Sequence, residues 1–191
     1  MRDVIQIETK RLKLRALRIS DAARVAQLCG DPGVATMIAR TPLPYLEVAA
    51  EGWIMTLNAK KRVGDEFVFA AELPGEGLIG VIGAHQHGAF EASDGFEIGY
   101  WFGRPYWGKG FASETLAGFL SEAKKLGQLL AGHFVDNPAS GRVLEKAGFA
   151  YTGETTQLFS LARGESALAK RMRYAPEEKE LDPDWREAAA A

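Results

Sequence analysis

The sequence predicts a mixed α/β (α+β) domain, in which a central, mostly antiparallel sheet of about six to seven strands carries helices on both faces. Three alternating or apolar runs in the middle of the chain, separated by turn residues, are typical of an antiparallel meander. Helical periodicity flanks this meander, and residues 96–135 form the strand, loop, helix and strand of a parallel crossover. We expect residues 1–174 to form one domain and residues 175–191 a polar tail.

Before the meander, the chain predicts one strand and two helices. RLKLRAL at 11–17 alternates apolar and basic residues, as a half-exposed strand does. Ser20 stands where the first helix would have its N-cap, and Gly30 is a suitable stop. The second helix follows from LEVAAEGWIMTLNAKK at 46–61. Its predicted core face consists of Leu46, Ala49, Ala50, Trp53 and Leu57.

The meander itself consists of three short runs. FVFAAEL at 67–73 and LIGVIGAH at 78–85 flank the turn PGEG, and FEIGYWF follows at 96–102. After a glycine-rich loop, residues 111–126 place apolar side chains on one helical face, and Gly127 ends that helix. This order predicts a strand that leads directly into a helix through the loop.

The last third of the chain predicts a strand, a helix and two more strands. LLAGHFV at 129–135 is a short apolar run, and Asn137 is a good N-cap for the helix that follows. Gly148 lies just beyond the end of that helix. The final strands are expected near 149–161 and 167–174, on either side of RGES.

Composition excludes several functional classes. A formal net charge of -2 and a pI near 6.0 give no electrostatic indication of nucleic acid binding. No stretch approaches the roughly 20 apolar residues that span a bilayer, and the N-terminus lacks the apolar core of a secretory signal. The only cysteine, Cys29, cannot form an internal disulfide and is expected to be a small buried residue. We therefore expect a cytoplasmic protein without a membrane partner.

The loop GRPYWGKGFASE at 103–114 predicts an anion site. Closely spaced glycines let backbone amides approach a ligand, and a helix N-terminus favours a phosphate. Starting at Gly103, the loop is one residue short of the phosphate-loop pattern of ATPases. Gly110 also stands where a hydroxyl would bind magnesium, and the hairpin at 67–85 argues against the mainly parallel sheet of that fold.

Starting at Trp107, the segment WGKGFA resembles the pyrophosphate-binding signature Q/R-x-x-G-x-G/A of the GNAT N-acetyltransferases. Gly110 and Ala112 match, and Trp107 replaces the polar first residue. NPASGRVLEKAGF at 137–149 and the opening ETKRLKLR are similar to the branch of ribosomal-protein N-terminal acetyltransferases (RimJ/RimL-like). The resemblance covers about residues 8–174. It implies acetyl-coenzyme A as co-substrate, an amine as acceptor and no metal.

The resemblance also implies where the coenzyme binds. Backbone amides of the loop would hold the pyrophosphate. The residues that would provide these amides are Trp107, Gly108, Lys109, Gly110, Phe111 and Ala112. The pantetheine arm would lie along the strand Ile98, Gly99, Tyr100, Trp101 and Phe102. Lys109 either adds positive charge for the phosphates or is a solvated loop lysine, and Gly99 is expected to mark a bulge. Asn137 would bind the pantetheine arm and Ser140 would contact the sulfur.

Acetyl transfer to an amine requires a base for the amine and a proton for the departing thiolate. Many relatives have a tyrosine in L-Y-x-K-x-G-F as the acid, and here Leu144 takes its place. Ser140 lies four residues earlier on the same helical face and is the candidate acid, although it and Asn137 could simply cap a helix. Glu97 is the candidate base, acting through a water, with an exposed strand residue as the alternative.

Two functional hypotheses follow. The first is an N-acetyltransferase that moves an acetyl group to a protein N-terminal α-amine or a small-molecule amine by direct attack. The second is an acetyl-coenzyme A-binding sensor or scaffold without efficient catalysis, which the missing tyrosine keeps open. Residues 31–62 and 149–174 are expected to shape the acceptor site, with His85 at its edge. His85 and His87 lack a convincing third metal ligand, and the chain is expected to be a monomer or homodimer.

Overall fold

The computed structural model describes residues 6–86 and 95–176. Its sheet has eight strands in the order β1-β2-β3-β4-β5-β6-β8-β7, and β5 with β6 is the parallel pair among antiparallel ones. The strands are β1 (Gln6–Glu8), β2 (Lys13–Ala16), β3 (Glu66–Leu73), β4 (Gly77–His85), β5 (Phe96–Phe102), β6 (Leu129–Phe134), β7 (Phe149–Ser160) and β8 (Glu165–Tyr174). The predicted fold class is confirmed, with one or two more strands than expected. The additional strand β1 has three residues, which is too short to show a period.

Five α-helices accompany the sheet in the described residues: α1 (Ala22–Cys29), α2 (Pro32–Ala35), α3 (Glu47–Val63), α4 (Phe111–Ala123) and α5 (Pro138–Lys146). None of them is long and apolar enough to cross a membrane. His87 and almost all of the predicted tail, residues 177–191, lie outside the described residues.

Helices cover both faces of the sheet, as the sequence predicts. On one face, Lys60 of α3 pairs with Glu66 of β3 at 2.6 Å. On the other, Phe119 of α4 packs edge to face on Phe69, with ring centroids 5.9 Å apart. Strand β4 is buried along nearly its whole length because it lies between these two layers.

The first helix does not begin at Ser20. Residues Ile19–Asp21 form a 3-10 turn, and Asp21 is the N-cap of α1. The carboxylate of Asp21 accepts hydrogen bonds from the guanidinium of Arg15 at 2.7 and 2.8 Å and from the Arg18 amide at 2.8 Å. The predicted N-cap was wrong because this buried ion pair, rather than a local serine cap, determines the turn.

The predicted core face of α3 is correct in part. Ala50 and Leu57 are buried and Trp53 is half-buried. Leu46 is 58% exposed because α3 begins at Glu47, so that Leu46 lies outside the helical period. Ala49 is exposed as well, and Ile54, which the sequence analysis omitted from this face, is fully buried.

Candidate functional site

A cavity of about 950 Å³ is lined by every predicted site residue except Lys109. Its walls come from the loop between α2 and α3, from α3 itself, from β3 to β6, from the glycine loop and from α5. Lys109 is exposed, and its ammonium lies 5.9 Å from the ring centroid of Tyr106. Of the two roles open to Lys109, this position favours the solvated loop lysine.

The cavity opens where two parallel strands separate. In the described residues, β5 pairs with β6 only from Phe96↔Leu129 to Ile98↔Ala131. Beyond Ile98, β5 continues to pair with β4 without a register shift, up to Gly80↔Phe102. The bulge predicted at Gly99 is therefore wrong. The sheet opens on the β6 side instead, which turns one edge of Gly99–Phe102 toward the cavity.

The glycine loop connects β5 to α4 through two residues in the left-handed region. Gly108 has φ 73° and Gly110 has φ 77°, and Gly110 is the N-cap of α4 without a side-chain cap. Glycine adopts these angles without the steric cost that a side chain would add. The first turn of α4 lines the cavity, and a helix N-terminus favours an anion.

Arg11, from a distant part of the chain, contacts this loop and stabilises it. Its guanidinium forms a 2.6 Å ion pair with Glu114, donates to the carbonyl of Lys109 at 3.1 Å and lies 4.3 Å from the centroid of the Phe111 ring. The sequence analysis did not identify this contact, because Arg11 and Glu114 are 103 residues apart. These contacts hold the first turn of α4 against the turn between β1 and β2.

Trp107 fastens the loop to the end of β5. Its indole Nε1 donates to the carbonyl of Phe102 at 2.6 Å. The Phe102 carbonyl, predicted to face the pantetheine arm, thus already accepts a hydrogen bond from the protein. We therefore expect the pantetheine arm to bind mainly to the backbone amides and carbonyls of Gly99, Tyr100 and Trp101.

Ser140 and Tyr100 place two hydroxyl groups together in the cavity wall. Their oxygens are 2.9 Å apart, and the Tyr100 hydroxyl also lies 3.2 Å from the Ser140 carbonyl, to which it can donate. Burial raises the pKa of Tyr100 to about 12 against the opposing effect of Ser140, so the phenol stays protonated at neutral pH. Tyr100 was predicted to bind the pantetheine arm through its backbone, and the position of its hydroxyl beside Ser140 was not predicted.

Asn137 caps the helix that carries Ser140. Its side-chain oxygen accepts from the Ser140 amide at 3.2 Å, and Pro138 occupies the first helical position. The capping role considered as an alternative is therefore observed for Asn137, which also lines the cavity. The cap uses the backbone amide of Ser140. The side-chain hydroxyl of Ser140 does not take part in the cap and is hydrogen-bonded to Tyr100. Leu144 is buried in the core, as its apolar side chain requires.

Glu97 lies in a row of titratable residues across three strands. Glu66, His85 and Glu97 are direct neighbours in the registers of β3, β4 and β5, and all three line the cavity. Glu97 is buried, contrary to the alternative of an exposed strand residue. The described residues hold no cluster of three or more His, Cys, Asp or Glu that could bind a metal ion.

Glu66 is expected to contribute to acid stability. Burial by itself would raise its pKa, but His85 and Lys60 outweigh that effect and lower the pKa from 4.5 to about 2. A lowered folded-state pKa stabilises the protein above pH 4.5, and this contribution disappears as the pH falls toward 2. Glu66→Gln should therefore flatten the decline of the free energy of unfolding between pH 4.5 and 2, measured by urea denaturation. An unchanged slope would contradict the assignment.

Gly141 allows a close contact directly behind Ser140. A Cβ at this position would lie 2.6 Å from the Tyr151 hydroxyl and 2.7 Å from Nε2 of His133, atoms that are themselves hydrogen-bonded at 3.0 Å. Gly141→Ala must therefore displace α5 or break this bond. We expect loss of stability, and impaired turnover because Ser140 moves with α5.

Gly52 provides the matched control in α3, since a Cβ there meets nothing within 4 Å. Gly52→Ala should stabilise the protein by about 0.5–1 kcal/mol, because alanine is the better helix residue. Thermal and urea denaturation of both variants check the pair. Equal effects of the two substitutions would contradict the packing argument for Gly141.

Comparison with known proteins identifies the family of the chain. The family described as "Acetyltransferase (GNAT) domain" matches residues 11–150, and the chain belongs to that family. A curated relative, the uncharacterized N-acetyltransferase p20 of Bacillus licheniformis, is 33% identical over 109 residues. That match covers 56% of this chain and 60% of the relative.

Solved structures with low sequence identity share the fold. Mycobacterium smegmatis RimJ, bound to a coenzyme A disulfide, superposes with a TM-score of 0.75 at 22% identity, over 97% of this chain and 94% of its own. RimL, a ribosomal α-N-protein acetyltransferase bound to coenzyme A, has the same TM-score at 17% identity, over 90% and 98%. Spermidine N-acetyltransferase of Vibrio cholerae, with coenzyme A and spermine, reaches 0.69 at 22% identity, over 85% and 94%. At these identities the likeness shows a shared fold.

Proposed function

We propose that this protein transfers the acetyl group of acetyl-coenzyme A to a primary amine by direct attack, without a covalent enzyme intermediate. The observation that carries the proposal is the separation of β5 from β6 after Ile98, in the same cavity as the glycine loop and Ser140. A strand edge, an anion site and a hydroxyl pair are the groups that an acyl-pantetheine pyrophosphate needs. Their arrangement along one cavity supports this substrate.

The coenzyme would be held mainly by backbone groups. The amides from Trp107 to Ala112 would bind the pyrophosphate at the N-terminus of α4. The free edge of β5 at Gly99–Trp101 would accept the pantetheine arm as an additional strand would, through main-chain hydrogen bonds. Arg142 and Lys146 of α5 also line the cavity and provide positive charge for phosphate oxygens.

In the reaction, the neutral amine attacks the thioester carbonyl carbon, the C–N bond forms and the C–S bond breaks. The amine loses one proton and the departing thiolate gains one, so the step is balanced without a further reactant. The Ser140 hydroxyl would stabilise and protonate the thiolate, and it would regain a proton from solvent through the Tyr100 phenol to which it is hydrogen-bonded. Glu97 lines the same cavity and would provide a buried carboxylate for the proton of the amine, acting through a water.

The acceptor would be a protein N-terminal α-amine or a small-molecule amine. The names of the structural relatives include both kinds, a ribosomal α-N-protein and spermidine. An α-amino group, with a reference pKa of about 7.7–8.0, is partly neutral near pH 7 and makes a smaller demand on the base than a lysine does. Aromatic residues of the cavity, including Tyr45 and Trp53, lie on the side expected to receive the acceptor.

Two measurements test the proposal. Calorimetry should detect binding of acetyl-coenzyme A, and a lysate treated with labelled acetyl-coenzyme A should show protein-dependent acetylation by mass spectrometry. No binding at high micromolar coenzyme would refute it. Binding without transfer to any amine or peptide of a broad panel would favour the sensor or scaffold function, for which the leucine at position 144 is the supporting observation.

A further inference from the structure

The row formed by Glu66, His85 and Glu97 is one surface, because residues that are directly opposite in neighbouring strands have side chains on the same side of the sheet. It lies at the end of β4 and faces the cavity, next to the first residues of β5. The next row along the same face consists of Val68, Gly83 and Gly99. Two of its three members have no side chain, so the cavity floor is open beside His85.

The imidazole of His85 occupies this open floor. A Cβ built on Gly83 would lie 2.9 Å from Nε2 of His85, and one built on Gly99 would lie 3.8 Å from it. The ring therefore leans along β4 toward Gly99, the first residue beyond the pairing of β5 with β6. Nε2 is the ring nitrogen nearest to the strand edge at which the proposed function places the pantetheine arm.

The other ring nitrogen faces a carboxylate. Nδ1 of His85 lies 3.7 Å from Oε1 of Glu66. Glu66 is ionised above acidic pH, since its pKa is lowered to about 2 despite the opposing effect of burial. An anion beside Nδ1 favours the tautomer with the proton on Nδ1, which leaves the lone pair of Nε2 free to accept a proton.

The geometry points to His85 as the base that takes the proton from the attacking amine, with Glu66 as the residue that positions it. This inference rests on the proposed function and assigns the proton of the amine to His85 instead of to Glu97 acting through a water. Nε2 receives the proton that the amine loses as the C–N bond forms, and it returns that proton to solvent after the thiolate has departed. Glu97, opposite His85 on β5, stabilises the imidazolium from the other side.

The charged groups around His85 come from three elements. Glu66 lies on β3, Glu97 on β5, and Lys60 of α3 pairs with Glu66 at 2.6 Å. The two carboxylates outnumber the one ammonium in this set. The imidazolium that forms when the proton arrives therefore lies beside more negative than positive charge.

The experiment is the pH dependence of kcat/KM for His85→Gln and Glu66→Gln, with an amine that the wild-type protein acetylates. His85→Gln should lower kcat/KM by about 10²–10⁴-fold at neutral pH and remove the acid limb of the profile. Glu66→Gln should lower kcat with little change in KM, because Nδ1 loses the carboxylate that favours its proton. Glu122→Gln, on an exposed part of α4, is the control and should leave kcat/KM and its pH dependence unchanged.

A second readout does not depend on turnover. Nitrogen NMR of the His85 ring is practical because the chain has three histidines and His85→Gln identifies the signals. The chemical shifts of the two ring nitrogens should show the tautomer with the proton on Nδ1 in the wild type and a smaller share of that tautomer in Glu66→Gln. An unchanged share would overturn the positioning role. If the wild type transfers acetyl groups and His85→Gln keeps the same kcat/KM profile, the base assignment is wrong although the proposed function stands. No transfer by the wild type would instead refute the proposed function.

Discussion

Ser140→Ala is expected to lower kcat by about 10²–10⁴-fold and to leave coenzyme affinity nearly unchanged. The hydroxyl is positioned by Tyr100, and α5 keeps its cap because Asn137 accepts from the backbone amide of residue 140 rather than from its side chain. The substitution thus removes a donor for the thiolate without dismantling the helix. Turnover under conditions in which chemistry limits the rate, together with calorimetry of coenzyme binding, measures the two effects separately.

The control for this prediction is Ser121→Ala on α4, whose hydroxyl bonds to the carbonyl of Gly118 on an exposed helical surface. It should have no effect on kcat. Tyr100→Phe removes the partner hydroxyl and keeps the ring, so its effect should be smaller. If the two hydroxyls act as a unit, the double variant should be no slower than Ser140→Ala alone. A Ser140→Ala protein with wild-type kcat would exclude this serine as the acid.

Asp21→Ala is expected to lower the free energy of unfolding by about 3–5 kcal/mol, because it leaves the buried guanidinium of Arg15 without its main partner. Both oxygens of Asp21 accept from Arg15, and both side chains are nearly enclosed. Burial alone would raise the pKa of Asp21, but the hydrogen bonds from Arg15 and from the Arg18 amide outweigh it and lower the pKa. Urea denaturation at neutral pH measures the loss.

The exposed ion pair between Glu122 and Lys125 has a similar 2.6 Å distance and provides the comparison. Glu122→Ala should cause no measurable change, since solvent-exposed pairs contribute little. Replacing Arg15 with methionine in the Asp21→Ala background should recover part of the lost stability by removing the unpaired charge. A loss below about 1 kcal/mol in Asp21→Ala would show that Arg15 is adequately compensated by Glu72, its other partner.

Local signals explain most of what could be predicted from the chain. The meander, the crossover and the helix stops follow from periodicity and from glycines at positions of positive φ, as at Gly110 and Gly127. The family resemblance rests on the same short segments, because a pyrophosphate loop needs particular residues next to one another. The prediction of a helix start from local sequence was wrong where a contact between residues of different elements determined the start instead. Ser20 did not become the cap because Arg15 binds Asp21.

The sequence by itself determined the fold class, the family and the segments that line the cavity, since these depend on neighbouring residues. Only the tertiary structure decided which side chains meet. The hydroxyls of Tyr100 and Ser140 are 40 residues apart in the chain, and Glu66, His85 and Glu97 meet through the registers of three strands. Arg11 reaches the glycine loop from the turn between β1 and β2 in the same way. Strand register and helix packing set these contacts, and both are determined by the whole core rather than by any local period.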